Sequence, residues 1–314
     1  MQPRVRADRY TGGMKVGFSV AHHDHGYVKR RGGQELLAHM SGASARAGYR
    51  VAAIARSLRA YEQADDAGKP ATEVGGLALI VVQRALLAAE DLGGLLHAFA
   101  GPKPWDRLRA TKIPDLDAAF RSVLADPRKT LHEAFRVPTD EHLRDEHLDD
   151  AGRLAFMRLR ERVTDRWETM LQRPARLWLA HREVAKAMMH GFPLLAGEHV
   201  IGPPGAGELS DGMRWPSGLF AVAVTSSERD RHVSVNRHLI ALDRDNVRRF
   251  DRDGRTAAKL AAELCSLHAS SIMDGCAATL STELLPTLSS DDQTRIKHLV
   301  AKPQEERGDA DRDA

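Results

Sequence analysis

From residue 34 to about residue 67, apolar side chains return every three or four positions: Leu36, Leu37, Met40, Ala47, Val51, Ile54, Leu58 and Tyr61. That is the period of a helix with one face turned to a core. D-D-A-G-K-P, residues 65–70, interrupts it. Thr72 is placed to cap a second helix over residues 72–100, apolar nearly all round as far as Gln83, which predicts a central, buried element. G-P-K-P ends it, and two shorter helices follow at residues 104–110 and 114–125, each opening on a proline.

Residues 139–150, T-D-E-H-L-R-D-E-H-L-D-D, read as a polar helix start or a surface turn. Residues 153–173 give the clearest amphipathic helix, with Phe156, Leu159, Val163, Trp167 and Met170 on one face. Glu161, Asp165 and Glu168 lie opposite, and Arg158, Arg162 and Arg166 run down the flank, spaced to pair with the acidic face. Pro174 starts or kinks the next helix, which stops at Gly191.

The ends of the chain differ. Residues 1–33 are basic and Gly-rich, without helical period, and are expected to form a flexible N-terminal segment with at most a short strand. Residues 201–217 form a linker or long loop. L-F-A-V-A-V-T and H-V-S-V-N-R-H-L-I-A-L then read as two strands joined by S-S-E-R-D-R. In the second, Val233, Val235, Arg237 and Leu239 alternate with His232, Ser234, Asn236 and His238, giving one apolar and one polar face. A long helix over about 255–285 follows. The expected fold is mostly α: a helical bundle over 34–200, a β-hairpin plus long helix over 218–290, and a charged tail over 291–314.

Composition supports this. Aromatic residues make up 5% of the chain, so the core is built of Leu, Ala, Val and Met, which favours helices. The formal net charge is only +3, so nucleic-acid binding by bidentate guanidinium groups is confined to a local patch. Two cysteines, Cys265 and Cys276, make no disulfide framework and fit a reducing cytoplasm. The longest apolar run stops at Gln83 and Arg84, short of a membrane span, and the N-terminus makes a poor signal peptide. A cytoplasmic protein without a membrane partner is expected.

Candidate chemistry is sparse. His23 and His25 in A-H-H-D-H-G-Y-V would point the same way on a strand, a metal-ligand geometry, but no alternating strand and helix pattern follows to make a barrel hydrolase. Cys265 and His268 share a helical face, yet Cys276 would lie roughly 12 Å beyond His268 on a straight helix, too far for one zinc. Both thiols then read as small core residues. His142 and Glu146, like Asp145 and Asp149, stand one turn apart in fully polar surroundings, a solvated face. No phosphate-binding loop, nucleophile elbow or H-E-x-x-H is present, and no cofactor is implied.

The block A-L-L-A-A-E-D-L-G-G-L-L, residues 85–96, resembles a helix of the HEPN-type helical bundles, with Gly94 where that family has lysine. The resemblance covers about two helices. It implies an R-x4–6-H motif on a later helix acting on RNA without metal across a dimer interface, and Arg176-L-W-L-A-His181 fits that spacing. Otherwise these two are a helix-surface pair beside Trp178. Three functions follow from the sequence: a non-catalytic binding or regulatory module with a protein partner, a HEPN-type RNase or RNA-binding homodimer using Arg176 and His181, and a metal-dependent hydrolase using His23 and His25.

Overall fold

The computed structural model describes residues 4–10, 13–19, 31–101, 103–135, 150–189, 195–197, 220–229 and 232–274. The chain is mostly helical, a bundle with a β-hairpin and long helix toward the C-terminus, as the sequence pattern predicts.

Helix α1, Arg31–Asp66, buries Met40, Ala47, Ile54 and Tyr61, one residue every two turns. Its C-terminus closes on Gly68, whose φ of 61° is free only to glycine. There the Gly68 N–H donates to Asp65 O and the Lys69 N–H to Ala64 O, satisfying the last carbonyls and turning the chain back. Helix α2, Ala71–Phe99, therefore runs antiparallel to α1. It begins one residue before Thr72, with Pro70 at the cap and no capping side chain. It is central as expected, packing on α1 and on four helices defined below. Arg84 ties it to α1 by donating to Ala53 O and to Ser57 Oγ. Among the described residues α2 is the one helix long and apolar enough to cross a membrane, although 44% of its most apolar window is buried inside the fold. A continuous run is a stricter test than an average, and Gln83 and Arg84 interrupt only the run.

Three short helices follow, and the first two pack on α2. They are α3, Pro104–Ala110; α4, Ile113–Ala125; and α5, Pro127–Glu133. The third escaped the apolar pattern, but Asp126 caps it by accepting the Lys129 N–H at 2.9 Å, with Pro127 at its start. Helix α6, Asp150–Met189, runs unbroken through Pro174 and leaves helical geometry at His181, φ −124°, ψ 15°. Proline costs the hydrogen bond to the carbonyl four residues back. The buried series Thr164, Trp167, Leu171, Ala175 and Trp178 spans Pro174, and its packing holds the helix together. Trp178 donates from Nε1 to Asp117 of α4 at 2.9 Å, and Trp167 meets Phe135 edge-on.

The acidic face of α6 is also met from outside its own helix. Arg128 of α5 reaches across to Glu161, Asp165 and Glu168 at 2.7, 3.1 and 2.5 Å.

Strands β1, Arg4–Tyr10, and β2, Gly13–Ser19, pair antiparallel inside the segment read as flexible. A second sheet has the order β3, Leu195–Gly197; β4, Phe220–Arg229; β5, His232–Ala241, all antiparallel. The hairpin is tighter than expected: Ser226 to Arg229 extend β4 instead of forming the turn, and Arg229 pairs with His232. Ile240 is buried and shares by alternation the face of His238, so the face read as polar turns apolar where it meets the helices.

Helix α7, Arg244–Asp274, starts eleven residues before the expected position. D-R-D-N-V-R-R-F-D-R-D-G looks like a loop, but Asp243 Oδ1 accepts the Asn246 N–H, and Val247, Phe250 and Gly254 are buried at helical spacing. Arg248 and Arg244 tie this first part to Glu62 and Asp66 of α1. Gly254 lies on Ala85 so closely that a Cβ there would stand 2.6 Å from the Ala85 Cα. The expected extension to residue 285 and the tail lie outside the described residues.

A candidate ligand cleft between α1, α2, α3 and α4

Arg46 and Arg50 stand one turn apart on α1, and Glu90 and Asp91 are neighbours in α2. Because the two helices run antiparallel, these four meet. The Arg50 guanidinium donates to Leu87 O at 3.0 Å and pairs with Asp91 at 2.8 Å. Around them opens a cleft of about 700 Å³, within the range of small-molecule sites. His39 and Lys112 complete its polar wall. Leu95, Leu108, Ile113 and Leu116 form an apolar floor with Ala258 and Ala261 of α7. Gly94 helps to keep it open, since nothing on α2 projects there.

The charges are not all spent on one another. Arg50 and Asp91 neutralise each other. Among the described residues neither Arg46 nor Glu90 has a hydrogen-bonded or salt-bridged partner. Burial pushes the Glu90 carboxyl above the usual carboxylate range, helped by Asp91 and opposed by Arg50. Asp91 is raised by burial too, against the pull of Arg50 and Arg46. Burial, then Arg46, holds His39 below the ordinary imidazole value, so it lines the wall as a neutral ring beside Trp105, centroids 5.5 Å apart. Trp105 is itself fixed by donating to Glu35 Oε2 at 2.8 Å. Behind the floor, burial pushes the Cys265 thiol up to about 12, which makes it an inert core residue.

The sequence candidates fall elsewhere. Arg176 is exposed and donates to Gln172 Oε1 of its own helix at 3.0 Å. His181, at the break in α6, is half-buried against Phe250, centroids 4.8 Å apart. Burial, then Arg249, takes its pKa down to about 4, so the ring is neutral at neutral pH. Trp178 between them is fully buried, so the three do not form a surface group. His268 stacks on Phe99 at 3.7 Å and bonds Ala134 O at 2.7 Å, a packed core histidine. No group of three His, Cys, Asp or Glu among the described residues could hold a metal ion. His23, His25, Cys276 and the run His142, Asp145, Glu146 and Asp149 lie outside the described residues.

Pattern reasoning missed the cleft residues. The available signal was an acidic pair inside a mostly apolar helix, facing an R-x3-R on the helix before it. Compared with protein-family models, curated proteins and solved structures, the chain matches none of them.

Proposed function

We propose that the protein is a non-catalytic binding or regulatory module that takes a small polar ligand in the cleft between α1, α2, α3 and α4. The observation behind this is a half-buried Glu90 and an exposed Arg46, both lining a cavity of ligand size and both without a hydrogen-bonded or salt-bridged partner among the described residues. Partly burying the Glu90 carboxyl without a partner costs free energy, which a cationic group of a ligand returns on binding, while the exposed Arg46 is free to take an anionic group. Among the described residues the wall pairs no nucleophile with a base, and the Cys265 thiol behind the floor is held protonated.

A thermal-denaturation screen against charged metabolites tests this. A ligand at a hundredfold excess over its Kd adds about 2.7 kcal/mol of stability, a shift of several degrees. The expected result is at least one such shift, lost in both Arg46→Gln and Glu90→Gln. Shifts that survive both substitutions would move the site elsewhere. Ribonuclease activity abolished by His181→Ala would replace the module with a HEPN-type enzyme.

A further inference from the structure

The cleft presents one unpaired charge of each sign above an apolar floor, and this selects a ligand class. A simple anion would satisfy Arg46 but lie against the Glu90 carboxylate. A simple cation would satisfy Glu90 and leave Arg46. Lys112, also on the wall, adds a second positive charge that favours an acidic group on the ligand.

The positions of the two charges also fit. Arg84 engages Ala53 and Ser57, and Arg50 engages Leu87 and Asp91, so steps down α1 match steps up α2. Arg46 follows one turn, roughly 6 Å, beyond Arg50. Its charge acts on His39 and Asp91, whereas Glu90 feels Asp91 and Arg50. The two unpaired groups are thus separated along the wall by the neutral Arg50–Asp91 pair. Below them, Leu95, Leu108, Ile113 and Leu116 offer a surface on which an alkyl or aryl group loses water.

We propose that the ligand is an α-amino acid with a large apolar side chain: its ammonium pairs with Glu90, its carboxylate with Arg46, and its side chain lies on the leucine and isoleucine floor. This rests on the cleft being the binding site and adds the class of molecule it takes.

Three probes of one size separate the contributions: L-phenylalanine, phenethylamine, which lacks the carboxylate, and 3-phenylpropionate, which lacks the ammonium. Their affinities for the full chain are measured by titration calorimetry. Phenylalanine is expected to bind at least tenfold more tightly than either half-ligand. Glu90→Gln should remove its advantage over 3-phenylpropionate, and Arg46→Gln its advantage over phenethylamine. Arg46→Lys, which keeps the charge, should retain part of the second advantage, and circular dichroism checks that each variant is folded. Equal affinity of phenylalanine and either half-ligand, or no binding by any of the three, overturns the proposal. An Arg46-dependent response to phosphate monoesters but not to phenylalanine overturns the amino-acid assignment while leaving the cleft as a binding site.

Discussion

At Ala85 the central helix α2 touches Gly254 of α7 with no room for one more carbon atom; at Gly94, nine residues on, the same helix borders an open cleft. Both places are made of small residues. At the crossing, small residues let two backbones approach and the interface is dry. At the cleft a Cβ on Gly94 would reach only ordinary contact with Leu108 and Leu116, and charged side chains gather around the cavity beside it. Smallness alone does not say which outcome follows. It depends on whether a second helix arrives opposite, as α7 does at Gly254, or passes to one side, as the short helices α3 and α4 do at Gly94.

Adding carbon atoms to each glycine sharpens the contrast. Gly254→Val drives its side chain into the α2 backbone, which has no rotamer to escape by. The expected loss is about 3 kcal/mol or more, read as a fall in the urea midpoint. A loss under half a kcal/mol would show that the helices part freely.

On the dry side, α7 also meets His181 through Phe250. The native pKa of about 4 lies below the ordinary 6.5, so between these values the unfolded chain binds more protons than the native one. The contribution of His181 is complete above about pH 6.5 and lost as pH falls toward 4, on the order of 2 kcal/mol because the ring is only partly enclosed. His39 and His97 are shifted the same way, so the measure is the difference in acid sensitivity between the wild type and His181→Phe. Identical pH profiles would place the ring in water.

Gly93→Ala puts its new methyl 2.7 Å from the buried Phe120 ring, with an expected cost of about 1.5 kcal/mol in the urea midpoint. The adjacent Gly94→Ala meets Leu108 at 3.6 Å and Leu116 at 4.0 Å, both ordinary contacts, and should stabilise by about 0.5 to 1 kcal/mol through helix propensity. It should also weaken any ligand in the narrowed cleft. Two neighbouring glycines giving the same sign would contradict the division between packed and open sides.

The sequence pattern reaches the packed side far better than the open one. Met40, Ala47, Ile54 and Tyr61 mark α1 because burial imposes a period that any single helix displays. The same rule failed at the start of α7, where Val247 and Phe250 are sparse among charges and the cap at Asp243 carries the signal. It failed at Pro174, where packing on both sides outweighs one lost hydrogen bond. The cleft was illegible for a different reason. Arg46 and Arg50, or Glu90 and Asp91, read alone are ordinary solvated charges. Only the antiparallel return through Gly68 brings residues forty positions apart to one wall.

The contact between residues 85 and 254 also sets a timetable for synthesis. Helix α2, the most apolar in the described chain, leaves the ribosome long before α7 exists to cover it. At ordinary elongation rates that interval is on the order of ten to thirty seconds. Through it, nascent α2 has only α1, and then the short helices and α6, for shelter. A cell making this chain in quantity should therefore find chaperones holding truncated products that stop before Gly254 and releasing those that extend past α7.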